Sequence, residues 1–139
     1  MYILKTEAAF DSAHFLYGYE GKCHNIHGHR WRITAEICGE TLVKEGQERG
    51  MLVDFSSFKK AVRSEADELD HCLIIEKGTL SEEMLKMFSA NQFRVVELDF
   101  RPTAENLAAY IFERLRDRGF DIYRTEVYET PENCAVYSK

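Results

Sequence analysis

Three of the five histidines lie in one short segment, Cys23-His24-Asn25-Ile26-His27-Gly28-His29. His27 and His29 are two positions apart where a strand begins, so their side chains project to the same side and can meet at one ion. His14 ends the preceding apolar segment and can complete the set from a neighbouring strand. Three neutral imidazoles suit Zn²⁺ and leave a fourth coordination position open, which is typical of a catalytic site. The pattern therefore predicts a catalytic zinc ion bound by His14, His27 and His29.

Cys23 precedes this cluster and has two interpretations. In the first, a nearby dication favours the thiolate form of Cys23, which can act as a base or a nucleophile. In the second, Cys23, His24, His27 and His29 form a closed structural zinc site, although this site would need four ligands from nearly consecutive residues. The first interpretation leaves His24 facing solvent or beside the site.

Asp70 and His71 offer a further proton-transfer group. Because the side chains of adjacent residues rarely hydrogen-bond well to each other, we expect both to contribute to one pocket without forming a pre-oriented pair. The alternative for His71 is a histidine at a helix C-terminus, where the helix dipole favours it.

Glu129 is expected to share one strand face with Tyr123, Thr125 and Val127. A carboxylate on an apolar face must be paired or hydrogen-bonded. A heterocycle rich in N–H groups, such as a pterin or guanine, would satisfy it through both oxygens. The alternative is an exposed glutamate at the end of a strand.

The elements that must position these residues follow from hydrophobic periodicity. Alternation over 30–38 buries Trp31, Ile33, Ala35 and Ile37 on one strand face. Further strands are predicted at 2–10, 51–54, 93–100, 122–129 and 134–137, and helices at 55–69, at 80–89 and from Pro102-Thr103 to Gly119. This order predicts an α+β fold with helices packed on one face of an antiparallel sheet. Because both sheet edges must be covered, we expect an oligomer.

Composition sets the class of protein. With 45% hydrophobic and 30% charged residues, residues 1–139 are expected to form a single globular catalytic domain. No apolar run suits a signal peptide or a membrane span, so we expect a cytoplasmic protein without a membrane partner. The net charge of −6 argues against a nucleic-acid partner, and the arginines at 114, 116 and 118 indicate a solvated helix face.

The four cysteines, without a C-x-x-C pair, are expected to be free thiols, buried at Cys38, Cys72 and Cys134.

Six blocks of the sequence match, in the same order, the 6-pyruvoyl-tetrahydropterin synthase family, which the chain resembles nearly end to end. The blocks are Phe10-Asp11-Ser12-Ala13-His14, Cys23 with His27-Gly28-His29, Gly50-Met51-Leu52-Val53-Asp54-Phe55, Leu69-Asp70-His71, Pro102-Thr103-Ala104-Glu105-Asn106 and Tyr128-Glu129-Thr130. The resemblance implies a tunnelling fold (T-fold), whose subunits assemble into a β-barrel with the pocket at a subunit interface. It implies a homohexamer built as a dimer of trimers.

The resemblance also implies residue roles. It assigns zinc binding to His14, His27 and His29, the catalytic thiol to Cys23, the proton relay to Asp70 and His71, the pterin anchor to Glu129, and a position near the bound pterin to Thr103.

Spacing separates the branches of this family. Three residues lie between Cys23 and His27, whereas tetrahydrobiopterin-forming members usually have five. The chain thus resembles the branch that converts 7,8-dihydroneopterin triphosphate to 6-carboxy-5,6,7,8-tetrahydropterin in queuosine biosynthesis, with loss of acetaldehyde and triphosphate. The alternatives are a 6-pyruvoyl-tetrahydropterin synthase, a dihydroneopterin-triphosphate aldolase, and a non-catalytic zinc-stabilised binding module. The chain departs from the family in a longer segment, 72–101, which adds a helix, and in lacking an asparagine after Asp70-His71.

Overall fold

The structure, a computed structural model, describes residues 1–139 and contains six strands and three α-helices. The strands are β1 (Tyr2–His14), β2 (His27–Gly39), β3 (Leu73–Glu76), β4 (Val95–Leu98), β5 (Ile122–Tyr128) and β6 (Cys134–Ser138). The helices are α1 (Phe55–Leu69), α2 (Glu82–Ala90) and α3 (Ala104–Asp117). All strands form one sheet in the order β4-β3-β1-β2-β5-β6, so β1 and β2 lie at its centre.

The sheet is mixed. Its four longer strands pair antiparallel, whereas β3 pairs parallel with both β1 and β4. The predicted α+β fold, with helices on one face of the sheet, is confirmed, because α1 and α3 pack against the central strands. The two parallel strands come from the longer segment 72–101, and β3 was not predicted.

Capping residues set the beginnings of the two packed helices. The side chains of Asp54 and Thr103 accept hydrogen bonds from the backbone N–H groups of Ser56 and Asn106, as N-caps do.

Beneath these helices lie the four alternating residues of β2, which are at most 4% exposed: Trp31, Ile33, Ala35 and Ile37. The alternation therefore predicted correctly which face of β2 is buried.

Two segments differ from the predicted elements. Residues 51–54 do not form a strand; they belong to a loop closed by a backbone hydrogen bond from Val43 N–H to the Met51 carbonyl at 2.9 Å. The second predicted helix is α2, which Ser81 caps and in which no residue is buried. None of the helices has the length and apolar character needed to cross a bilayer.

The sheet face opposite α1 and α3 carries charged side chains. Glu36 and Glu126 are only 4% and 7% exposed. Lys5 Nζ lies 3.5 Å from a carboxylate oxygen of each, and Arg124 Nε lies 2.8 Å from Glu36 Oε2. These carboxylates are therefore neutralised by cations on the same face, as buried charges must be.

Glu65 of α1 is a buried carboxylate, 1% exposed, that pairs with Arg114 of α3 and with Arg118, which directly follows α3. The interpretation of these arginines as a solvated helix face was therefore wrong, since two of the three fix α3 to α1. We expect Glu65→Gln to lower the free energy of unfolding by about 1–3 kcal/mol, because charged hydrogen bonds are lost at a buried site. Urea denaturation measures this loss. The control is Glu68→Gln, on the same helix and 47% exposed, which should cost less than about 1 kcal/mol; equal losses would contradict the assignment.

Candidate metal centre

Four side chains bring metal-binding atoms together where β1 ends and β2 begins. Ring nitrogens of His14, His27 and His29 and a carboxylate oxygen of Glu129 all lie within 4.8 Å of one another. His14 is paired with His27 across the two strands, and Ser12 with His29. Since side chains alternate along each strand, this register places the three imidazoles on the helix-covered face. The structure thus brings together the three predicted zinc ligands and adds Glu129.

Hydrogen bonds of His14 and His27 fix which ring nitrogens are free. His14 Nδ1 donates to the Pro102 carbonyl at 2.8 Å, and His27 Nδ1 donates to the Asn25 carbonyl at 2.7 Å. Because a carbonyl oxygen only accepts, each ring in its neutral form carries its proton on Nδ1 and presents a lone pair at Nε2. The two Nε2 atoms are 3.1 Å apart. A metal ion between two such lone pairs would compensate their repulsion, and ligands of tetrahedral zinc stand about 3.3 Å apart for Zn–N bonds of about 2.0–2.1 Å.

His29 and Glu129 also bring two metal-binding atoms close together. His29 Nε2 lies 3.0 Å from Glu129 Oε1, yet this buried nitrogen forms no hydrogen bond. A nitrogen and a carboxylate oxygen that approach each other without a hydrogen bond are typical of two ligands of one ion. The donor set therefore fits a metal ion that His14, His27, His29 and Glu129 surround.

Electrostatics keep two of these rings neutral. Burial lowers the pKa of His14 and of His29 below the ordinary histidine value, and the neighbouring His27 lowers both further. The Pro102 carbonyl raises the pKa of His14, and Glu129 raises that of His29, without reversing the net direction. Both imidazoles are therefore unprotonated at neutral pH, which is the form that binds a metal.

Thr103 and Pro102 connect the cluster to α3. The Thr103 hydroxyl accepts the Asn106 N–H at 3.3 Å as the helix cap, while the preceding carbonyl of Pro102 orients His14. Sequence reasoning missed Pro102, because a backbone carbonyl leaves no signal in a side-chain pattern. The predicted position of Thr103 near a bound pterin remains a prediction.

Cys23 lies on a single 3₁₀ turn, Lys22–His24, and is a partly buried free thiol outside the donor cluster. The carbonyl of Asn25, two residues later, is the acceptor that orients His27. His24 is exposed and also outside the cluster. The closed structural site of Cys23, His24, His27 and His29 is thus not formed.

Asp70 and His71 form a pair, with His71 Nδ1 2.9 Å from Asp70 Oδ2. The expectation that they would not pair was wrong. The two side chains can pair because the backbone of His71 has a φ of 51°, which turns the chain sharply after α1. The other Asp70 oxygen accepts the Asp11 N–H at 2.8 Å, which is the main cause that lowers the pKa of the Asp70 carboxyl. Asp70 is therefore an anion held in a position to orient the His71 ring.

His71 does not join the histidine cluster. Its side chain is 80% exposed and lines an open cleft of about 650 Å³ with Asp11 and Arg30, which project from the charged face of the sheet. The cleft also reaches His29. Within one chain, this cleft therefore connects His71 with His29 of the donor cluster.

A second cleft, of about 480 Å³, opens beside Glu129 and His29 and is lined by Arg30 and Arg32. The Arg32 guanidinium lies 3.9 Å over the ring of Tyr128, its partner across the strands. Sequence reasoning could not single out these arginines, because their proximity to Glu129 depends on the register of β2 with β5. Both arginines project from the charged face of the sheet, where Arg30 pairs with Asp11 and Arg32 with Glu7, and they share this cleft with His29 and Glu129.

Known proteins share both sequence and fold with this chain. Residues 3–139 match the family described as 6-pyruvoyl tetrahydropterin synthase. The chain is 35% identical to the 6-carboxy-5,6,7,8-tetrahydropterin synthase of Haemophilus influenzae, with both chains covered completely. It is also 35% identical to the protein of the same name from Rickettsia bellii, with 91% of this chain and 92% of that one covered.

Solved structures confirm the T-fold. The 6-pyruvoyl tetrahydropterin synthase of Caenorhabditis elegans superposes with a TM-score of 0.67 at 25% identity, over all of this chain and 97% of that one. An uncharacterized protein of Wolinella succinogenes superposes with a TM-score of 0.76 at 22% identity, over 99% and 98% of the two chains. Fold, sequence and donor cluster agree, and the chain belongs to the 6-pyruvoyl tetrahydropterin synthase family of enzymes.

Proposed function

We propose that the chain is a zinc-dependent 6-carboxy-5,6,7,8-tetrahydropterin synthase of queuosine biosynthesis. Its substrates are 7,8-dihydroneopterin triphosphate and water, and it releases acetaldehyde and triphosphate with the carboxylated pterin. The observation that carries the proposal is the donor cluster, in which ring nitrogens of His14, His27 and His29 and a carboxylate oxygen of Glu129 all lie within 4.8 Å of one another. Full-length relatives at 35% identity bear the name of this synthase, which supports the choice of reaction.

Zinc is the ion that this donor set favours, because imidazole nitrogens and a carboxylate oxygen are its usual ligands. His14, His27 and His29 would hold it. When bound, the ion supplies a Lewis acid for the oxygens of a polyol side chain, which acidifies the neighbouring C–H group and stabilises negative charge.

The protein's own groups move protons and hold the substrate. The Cys23 thiolate takes a proton from the substrate side chain, and His71 returns one. Since Asp70 holds Nδ1 of His71, the ring exchanges its proton through Nε2. Glu129 binds the N–H edge of the pterin, and Thr103 lies near the same ring.

Arg30 and Arg32 attract the triphosphate in this proposal. Both line the cleft that opens at Glu129. A phosphate chain needs positive charge along its path, and guanidinium groups bind phosphate through paired N–H donors. In this proposal a phosphate chain would compete with Asp11 and Glu7, the carboxylates that pair with Arg30 and Arg32.

Residues 1–139 act as one catalytic domain, and its chains assemble into a barrel-shaped homohexamer, a dimer of trimers. Two observations support assembly: the edge strands β4 and β6 each have one unpaired side, and His71 is 80% exposed and lies outside the donor cluster. The proposed location is the cytoplasm, where four free cysteines would stay reduced.

We expect the active protein to contain no appreciable monomer at micromolar concentration, because unpaired sheet edges favour edge-to-edge association. Light scattering coupled to size exclusion measures the mass directly. The scattering and the turnover should be measured on the same fractions. A fully active sample with the mass of a single chain would contradict the proposed assembly.

Product analysis by mass spectrometry tests the reaction itself, after incubation of the metal-loaded protein with dihydroneopterin triphosphate. Acetaldehyde and a carboxylated pterin are the expected products. A retained three-carbon side chain would instead identify a 6-pyruvoyl-tetrahydropterin synthase. Absence of turnover by metal-loaded protein would favour a zinc-stabilised binding module.

A further inference from the structure

The carbonyl groups at the end of α1 accept hydrogen bonds from an arginine of another element. The last carbonyls of a helix have no partner within it, and they carry the negative end of the helix dipole. No basic residue lies in the last turn of α1 itself. Arg94, which directly precedes β4, supplies the positive charge: its Nη1 donates to the Asp70 carbonyl at 2.8 Å, and its Nη2 donates to the Glu68 carbonyl. One guanidinium group therefore spans the end of α1.

The residues that Arg94 holds form the turn that carries His71. A φ of 51° at His71 is unfavourable for a residue with a Cβ atom and persists only where surrounding contacts impose it. The backbone N–H of His71 donates to the Asp11 carbonyl at 2.7 Å, and that of Leu73 donates to the Arg94 carbonyl at 3.0 Å. Arg94 thus holds the chain before His71 through its side chain and the chain after His71 through its backbone.

The orientation of the His71 ring depends on this turn. The side chain is 80% exposed, and its polar contact is the one between Nδ1 and Asp70 Oδ2 at 2.9 Å. With so little packing around the ring, the turn beneath it decides whether the two adjacent side chains can meet. Arg94 lines the same cleft as His71, yet both of its terminal nitrogens donate to carbonyls of the chain.

We propose that Arg94 is a positioning residue: by holding the carbonyls of Glu68 and Asp70, it fixes the turn that keeps the His71 ring against Asp70. This inference rests on the proposed function, in which His71 returns a proton to the substrate, and deepens it by naming the residue that holds this group in place. Arg94 belongs to the longer segment 72–101, which thereby acts on the site without contacting the substrate. The planar fork of a guanidinium suits two carbonyls at once, whereas the ammonium group of lysine has no such fork.

Steady-state kinetics with dihydroneopterin triphosphate tests the proposal on metal-loaded Arg94→Met. Because a displaced proton donor slows the reaction without weakening binding, kcat should fall roughly 10–100-fold while KM changes little. The control is Arg118→Met, which removes another arginine that is bound to α1, through Glu65 and Ser64. This control should lower the melting temperature and leave kcat unchanged. A raised KM at normal kcat in Arg94→Met would show that Arg94 binds the substrate and would overturn the inference.

Nitrogen NMR of protein with isotope-labelled histidine supplies a readout that needs no turnover. Above the pH range in which imidazole titrates, the wild type should carry the His71 proton on Nδ1, because the carboxylate of Asp70 only accepts. Arg94→Met should move this proton at least partly to Nε2, whereas Arg118→Met should not. An unchanged position of the proton in Arg94→Met would overturn the inference.

Circular dichroism establishes that the variants are folded. If Arg94→Met does not fold, Arg94→Lys decides in its place: a reduced kcat and a proton shared between the two ring nitrogens of His71 are expected, and wild-type values of both would overturn the inference. A wild type that does not convert dihydroneopterin triphosphate would overturn the proposed function instead. In that case the NMR comparison still decides whether Arg94 positions His71.

Discussion

Replacement of Cys23 by alanine is expected to lower turnover by roughly two to four orders of magnitude, the usual contribution of a general base. Metal content and pterin affinity should remain nearly unchanged, because the thiol lies outside the donor cluster. Steady-state kinetics on metal-loaded protein, together with metal analysis of the same samples, measures both quantities. Cys38→Ala is the matched control, since Cys38 is also a partly buried free thiol but lies at the far end of β2.

Glu129→Ala, measured at saturating metal, should have a different kinetic effect from Cys23→Ala. Loss of a ring anchor weakens the ground state and the transition state alike, so the main effect should be a higher KM. If Cys23→Ala instead loses the metal, and inactivity merely follows that loss, then Cys23 is a ligand and the proposed mechanism is wrong.

The double variant His27→Ala/His29→Ala is expected to lose most of the metal, whereas the wild type should hold about one zinc ion per chain. It should still fold, because the main core consists of apolar side chains of the sheet, α1 and α3 and contains none of the histidines. Elemental analysis measures the metal, and circular dichroism measures the fold. His24→Ala, which removes an exposed histidine outside the cluster, should retain full metal.

Two outcomes would contradict this assignment in different ways. Full metal content in the double variant would show that other residues bind the ion. An unfolded double variant would show that the site holds the fold together, which favours a structural role over a catalytic one.

Much of the fold could be predicted because its signals are local. The alternation around Trp31 marks a half-buried strand, and Asp54 and Ser81 mark helix beginnings through hydrogen bonds within the next three residues. Strand β3 was missed because it has only four residues, three of them buried in a row, so it shows no alternation. Cys134 was expected to be buried but is exposed, because it begins an edge strand.

The candidate site could be predicted only in part, for a related reason. Residue type and the two-residue spacing were enough to bring His27 and His29 together with His14. The approach of Glu129, by contrast, depends on how β5 pairs with β2, and the orientation of His14 depends on a carbonyl 88 residues away. The pairing of Asp70 with His71 depends on the positive φ of His71, which neither residue type predicts. Contacts of this kind follow from tertiary structure and leave no local pattern.

The hydrogen bond between His14 and Pro102 has a thermodynamic consequence. The donor atoms come from β1, from β2 and from the residue after β5, and the Pro102 carbonyl, which precedes α3, orients one of them, so the complete set exists only in the folded chain. By mass action, an ion that binds the folded state alone adds RT ln(1 + [ion]/Kd) to stability, about 4 kcal/mol when free ion exceeds Kd a thousandfold. Withdrawal of the ion by a chelator should therefore lower the melting temperature as well as the rate, because only the folded chain would hold the donor atoms together.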